Sequence, residues 1–180
     1  MVGAIFEKSV AVWKQTNLTR ARQLQVFEAC VQTKLVYGLD TIWLRQAERS
    51  RVDAFQASCL RRVYNIPHSY LSRVSNDAVR IAAGRRRLSH TLMERQMQLY
   101  RRLVSEPETS LPRRIAIEPV GFKPITFAHR RNRGRPRLQW STCVYALALD
   151  VAGGAAELTR LLHPSATTGW REAVRRYFRL

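Results

Sequence analysis

Apolar side chains recur along this chain at steps of three and four, the spacing of one face of an α-helix. The cleanest stretch runs from Ser50 to Ile66. Val52, Phe55, Cys59, Leu60 and Val63 share one side there, while Arg51, Asp53, Gln56, Ser58, Arg61 and Arg62 fall mostly elsewhere. Ser50 is placed to cap that helix, and Pro67 drives Ile66 out of the helical region, so both ends are marked. Upstream, residues 2–14 read as a helix with Ile5, Val10 and Trp13 as core contacts. A second helix is expected to begin near Thr19, to carry Leu24, Phe27, Val31 and Leu35 on one face, and to end or bend at Gly38. Downstream, Ser75 caps a short helix with Asp77 in its first turn and Gly84 at its close. A longer helix follows, with Leu88, Leu92, Gln96, Leu99 and Leu103 in one stripe and Pro107 as its stop.

From Ser105 to Ile125 the period disappears and Pro107, Pro112, Pro119 and Pro124 punctuate the chain, the pattern of a linker. Helical spacing returns over Leu138–Leu149, breaks at Gly153-Gly154, and resumes in Ala155–Leu162 and Gly169–Phe178. No stretch alternates as a half-buried strand does, and no internal repeat is visible. The expectation is therefore an all-α fold: a helical bundle over 1–104, a Pro-punctuated linker over 105–128, and a basic segment with short C-terminal helices over 129–180. Leu24, Phe27, Val31, Leu35, Phe55, Cys59, Val63, Leu92 and Leu99 are the predicted core.

Charge changes this picture. The 180 residues carry 31 Lys+Arg against 13 Asp+Glu, a net charge of +18, and most of the surplus is arginine. Guanidinium groups fork onto phosphate with two hydrogen bonds, and so large a surplus repels itself unless a polyanion or acidic partner neutralises it. Nucleic acid is the first partner expected and an anionic membrane surface the second. No run of about 18 apolar residues is present to span a bilayer, and Glu7 and Lys8 interrupt any signal-peptide pattern. Cys30, Cys59 and Cys143 are odd in number and far apart, which suits a reducing intracellular compartment and small buried side chains better than a disulfide framework. With His68, His90, His129 and His163 scattered, nothing has metal-ligand spacing. No cofactor, metal site or catalytic residue is predicted.

Four phrases, in order, point to a family. Leu35-Val36-Tyr37-Gly38-Leu39-Asp40-Thr41-Ile42-Trp43 resembles the stretch that follows the polymerase palm in non-LTR (LINE-type) retrotransposon reverse transcriptases. Ala54-Phe55-Gln56 with Cys59-Leu60-Arg61-Arg62-Val63 and Ile66 resembles the helix that comes next in those proteins. Arg73-Val74-Ser75-Asn76-Asp77-Ala78-Val79 and Arg133-Gly134-Arg135-Pro136-Arg137 with Trp140 are similar to two later elements. The likeness covers about residues 10 to 145; Asp40 stands where the family usually has Glu, and residues 150–180 match nothing in it. It implies a thumb-like helical domain and connector, nucleic acid (DNA, RNA or hybrid) as partner, the polymerase palm as a second partner encoded upstream, and a nuclear location. The palm's own chemistry is absent from this sequence. Polymerases hold two metal ions on clustered carboxylates, whereas Asp40, Asp53, Asp77 and Asp150 are isolated. The chain alone is expected not to be an enzyme.

The main nucleic-acid contact is expected in the densest charge run, Arg130, Arg131, Arg133, Gly134, Arg135, Pro136 and Arg137. An extended arginine run can follow a phosphate backbone and release counterions. Arg133-Gly134-Arg135-Pro136 also spells the core of an AT-hook, in which glycine permits close approach to a narrow minor groove and proline holds an extended course. Arg85, Arg86 and Arg87 offer a second contact, and Arg61 and Arg62 a third. Tyr37, Trp43, Tyr64 and Tyr70 are either base-stacking faces beside those arginines or core side chains with polar tips outward. A helical module binding an acidic protein is the alternative to a nucleic-acid binder.

Overall fold

A computed structural model describes residues 3–4, 7–8, 10, 17–119, 121–125, 138–163 and 166–178. Their regular structure is helical; the β-type contact among them is an isolated antiparallel bridge between Ile117 and Pro124. The all-α expectation stands. The chain divides into two compact units, one of Met1–Leu39 with Leu44–Leu92, the other of Asp40–Trp43 with Met93–Leu180.

The first unit begins its described helices with α1 (Arg20–Val26), where Thr19 Oγ1 accepts from Arg22 N at 3.4 Å. Phe27–Gln32 then widens into a π-helical turn before α2 (Thr33–Val36). Thr33 bonds back to the Glu28 carbonyl through both its N–H and its hydroxyl, the latter at 2.9 Å. A π-turn closes over five residues instead of four, so it rotates the helix face beyond it. Leu24, Phe27 and Val31 are buried as expected, but the next buried side chain is Val36; Leu35 is half-buried.

Helix α3 (Gln46–Tyr64) starts four residues ahead of Ser50. Its cap is made by Glu48, whose Oε2 accepts from Arg45 N at 2.6 Å, a carboxylate placed at the positive end of the helix. It ends at Asn65, in left-handed conformation, directly before the predicted stop. Cys59, Leu60 and Val63 are buried, and Val52 and Phe55 only half so, because Gln56, Ala57 and Arg61 take up interior positions beside them. Helices α4 (Ser69–Ser72) and α5 (Asn76–Ala82) follow, the latter capped by Ser75 Oγ on Ala78 N at 3.1 Å. Leu24, Phe27, Val31, Cys59, Leu60, Val63, Val79 and Ala83 form this unit's core.

Helix α6 (Leu88–Ser105) gives its first residues to the first unit and the rest to the second. Leu88, Leu92 and Gln96 are buried as predicted, but Met97, Tyr100 and Val104 are buried in place of Leu99 and Leu103, which are half-buried. The helix up to Leu92 falls in the first unit, and from Met93 it falls in the second, whose core takes Met97, Tyr100 and Val104. The expected linker is folded too: α7 (Leu111–Ala116) lies in it, and Ile117 is buried in the second unit's core. The compact units divide between Leu92 and Met93, with residues 40–43 also in the second; the expected boundary at 128 lies outside the described residues. Tyr100 Oη donates to the Phe122 carbonyl at 2.6 Å, holding this Pro-rich segment against α6. Helices α8 (Trp140–Ala152), α9 (Ala155–Leu162) and α10 (Thr167–Tyr177) complete the unit around Trp170, which has no exposed surface. Trp140 Nε1 donates to the Asp40 carbonyl at 2.9 Å and Gln96 Nε2 to that of Ile42 at 2.8 Å, which is why residues 40–43 belong here.

Candidate nucleic-acid interface

The arginines fall into three groups. The first is interior. Arg61 is 5% exposed, and its guanidinium donates to Pro67 O (3.0 Å), Ser72 Oγ (3.2 Å), Asn76 Oδ1 (3.1 Å) and Val74 O. Arg101 donates to Leu161 O (2.6 Å) and His163 O (3.1 Å), closing the carbonyl end of α9. Burial, with the charge of Arg171 second, lowers the Arg101 pKa from its ordinary value. Arg113 closes the end of α6 through Val104 O and Glu106 O, the latter at 2.9 Å. Arg80 reaches Asp53 O at 3.3 Å and Asp77 Oδ1 at 2.6 Å. Arg61 was expected to meet phosphate; in this fold its donors are committed inside the unit, so it is a structural residue.

The second group is ion-paired at the surface. Arg62 pairs with Glu7 and Arg85 with Glu28, while Arg87 reaches both oxygens of Asp77 at 3.1 and 3.2 Å. The hydrogen bond from Arg80, and secondarily that from Arg87, hold the Asp77 carboxyl below the usual carboxylate range. Exposed pairs of this kind are worth about 0–1 kcal/mol each, so a phosphate can displace the carboxylate. Arg85 and Arg87, expected as a second nucleic-acid contact, each have an acidic partner in this fold.

The third group is exposed and includes Arg51, Arg73, Arg86, Arg95, Arg102, Arg114, Arg171, Arg175 and Arg176. Arg171 and Arg175 stand four apart on α10 and so share a face. That basic face was missed because residues 150–180 resemble nothing in the family; the Arg175-Arg176 doublet was the available signal. Arg130, Arg131, Arg133, Gly134, Arg135, Pro136 and Arg137, the predicted main contact, lie outside the described residues.

Acidic and amide side chains that looked like surface decoration have structural work. Asp53 Oδ1 accepts from Ser89 N (2.8 Å) and Oδ2 from Ser89 Oγ (2.7 Å), while Gln56, 2% exposed, bridges Arg86 O (3.0 Å) and Leu88 N (3.1 Å). Together they cap the N-terminus of α6 from α3. The carboxylate offsets the Arg85–Arg87 charge at that positive helix end.

The aromatic residues split. Trp43 packs against the second unit's core, and Tyr64 is half-buried beneath the Arg20 guanidinium, 5.7 Å from its ring centre. Tyr37 and Tyr70 are instead largely exposed. No helix among the described residues is long and apolar enough to cross a membrane. No family model matches the chain, and no curated protein or solved structure matches it significantly.

Proposed function

We propose that this chain is a nucleic-acid-binding helical module, akin to the thumb-and-connector region that follows the palm in LINE-type reverse transcriptases, and that it binds without catalysing. The observation that carries this reading is the charge balance. Even one-to-one pairing of all 13 acids would leave 18 cations without an acidic partner. The interior arginines do not change that sum, because a carbonyl satisfies a guanidinium's donors without neutralising it. Exposed arginines before and on α6, on α7 and on α10 give a polyanion many points of contact. Asp53 and Asp77, two of the four aspartates, hold helix caps and arginines in place, which supports binding over metal-dependent chemistry. DNA, RNA and hybrid all present the phosphates such a surface would meet.

The arginine run at 130–137 remains the proposed principal contact. Replacing Arg131, Arg133 and Arg135 by Ala is expected to weaken binding to every sequence and to flatten the dependence of log K on log salt by roughly 2–3. Filter or anisotropy titrations on random-sequence duplex, RNA and hybrid at several salt concentrations measure this. A triple variant that binds as tightly as the parent throughout would overturn the assignment, and a loss confined to A·T-rich duplex would replace it with an AT-hook.

A further inference from the structure

The segment that follows α3 combines features that a purely structural loop does not need. His68 and Tyr70 stack on each other, ring centres 5.8 Å apart and planes 14° from parallel. Tyr70 is nonetheless 73% exposed, and His68 is exposed with it. Neither ring joins the first unit's core cluster. An aromatic left in water usually rides on a mobile loop, but this one is fastened. The Arg61 guanidinium reaches up from α3 and ties down Pro67, Ser72, Val74 and Asn76, on both sides of the stacked pair. Beside the pair lies an open groove of about 510 Å³ into which Arg62, Asn65, Ser58 and His68 face.

We propose that His68 and Tyr70 form a nucleobase-stacking platform for single-stranded nucleic acid, with Arg62 as the phosphate contact of the adjoining groove; this rests on the nucleic-acid-binding reading above. A base offers a flat face whatever its identity, so an exposed ring held in fixed orientation binds single strands without sequence preference. Duplex bases are already stacked on each other and cannot use it. The pinning by Arg61 matters because a platform ordered in advance does not lose loop freedom on binding. Arg62 lines the groove in an exposed pair with Glu7, which lines it too. A phosphate entering would exchange with that carboxylate, at little cost for so exposed a pair. Arg73, exposed and in left-handed conformation at the end of α4, adds positive charge at the loop's far end.

The test uses the whole 180-residue chain, a fluorescein-labelled 15-nucleotide oligo-dT, the same strand with abasic sites, and a 15-base-pair duplex. Tyr70→Ala is expected to weaken oligo-dT binding about tenfold, to leave duplex and abasic-strand binding unchanged, and to leave the salt slope unchanged. Tyr70→Phe, which keeps the ring, should bind like the parent. Arg62→Ala should lower the salt slope for oligo-dT by about one. Circular dichroism of each variant checks that the helices persist, as expected for so exposed a side chain. Tyr70→Ala binding oligo-dT as tightly as the parent would overturn the platform while leaving charge-driven binding intact, and so would equal weakening for duplex and strand. A parent that binds none of the three ligands would instead remove the nucleic-acid reading and the platform with it.

Discussion

Each of the two compact units is held together internally by a different kind of contact. In the first, much of the long-range connection is directional and polar. Asp53, Gln56 and Arg61 on one helix bond to chain between six and 36 residues away, and Arg80 returns to the Asp53 carbonyl. In the second, the centre is a larger apolar cluster with Trp170, Tyr100, Phe178, Met97, Leu158 and Leu162, and its arginines work at helix ends. Apolar burial is non-directional and fixes which faces meet. Hydrogen bonds from a planar guanidinium fix where a particular loop carbonyl lies. In the first unit the Arg61 guanidinium holds the loop after α3 in a set shape in this way, and that loop presents the stacked, exposed rings.

The largest test of this contrast is Trp170→Ala. Its side chain is fully buried, and large-to-small truncation of such a residue costs about 3–5 kcal/mol. Urea unfolding followed by circular dichroism should show the second unit's helices melting early while the first unit's persist. A midpoint indistinguishable from the parent's would remove Trp170 as the anchor.

Next in size is Arg61→Met, similar in bulk but without donors. It leaves several loop acceptors unmet, and about 2–3 kcal/mol is expected for orphaned acceptors at such a site. Arg61→Lys should recover little of this, because one ammonium cannot span four partners in a plane. Amide exchange over residues 65–76 should quicken in both variants with α10 unaffected. Full rescue by lysine would show that charge alone holds the loop.

The sequence made the helices legible wherever one apolar face met one core. Ser75, Thr19 and Gly84 stand where their chemistry placed them. Misreadings came where a local rule had a long-range competitor. Leu35 lost its place to Val36 because a π-turn is not marked by periodicity. Leu99 and Leu103 yielded to Tyr100 and Val104 because the face that α6 gives to the second unit's core runs through Met97, Tyr100 and Val104. Residues 105–125 read as linker because proline spacing hides a short helix and the burial of Ile117. The candidate site was legible in its charge and not in its allocation. Nothing local distinguishes Arg61, buried and saturated, from Arg62 beside it, exposed and ion-paired; the difference is the direction each side chain leaves the helix and the loop that arrives there.

The smallest expected effect separates the units by alkaline pH. Cys59, in the first unit's core, is pushed up to about 12 chiefly by burial, with the positive charge of Arg62 partly opposing and the negative charge of Glu7 adding. Tyr100, in the second, is also raised by burial first and by Tyr145 second. Both groups are favoured neutral in the folded chain. The stability each contributes is therefore fully present below its unfolded pKa and is lost as pH rises toward the folded one. For a thiol that loss begins near about 8.5, for a phenol near about 10, so the first unit should loosen at the lower pH. Between pH 9 and 10 the Cys59 contribution amounts to about 1 kcal/mol, read as the difference in the pH slope of stability between the parent and Cys59→Ala. Exposed Cys30 should react with a thiol reagent at once at pH 8, while Cys59 waits for the core to open. Equal slopes for parent and Cys59→Ala, or earlier alkaline melting of α8–α10 than of α3, would show that the second unit, not the first, is the one limited by its buried titratable group.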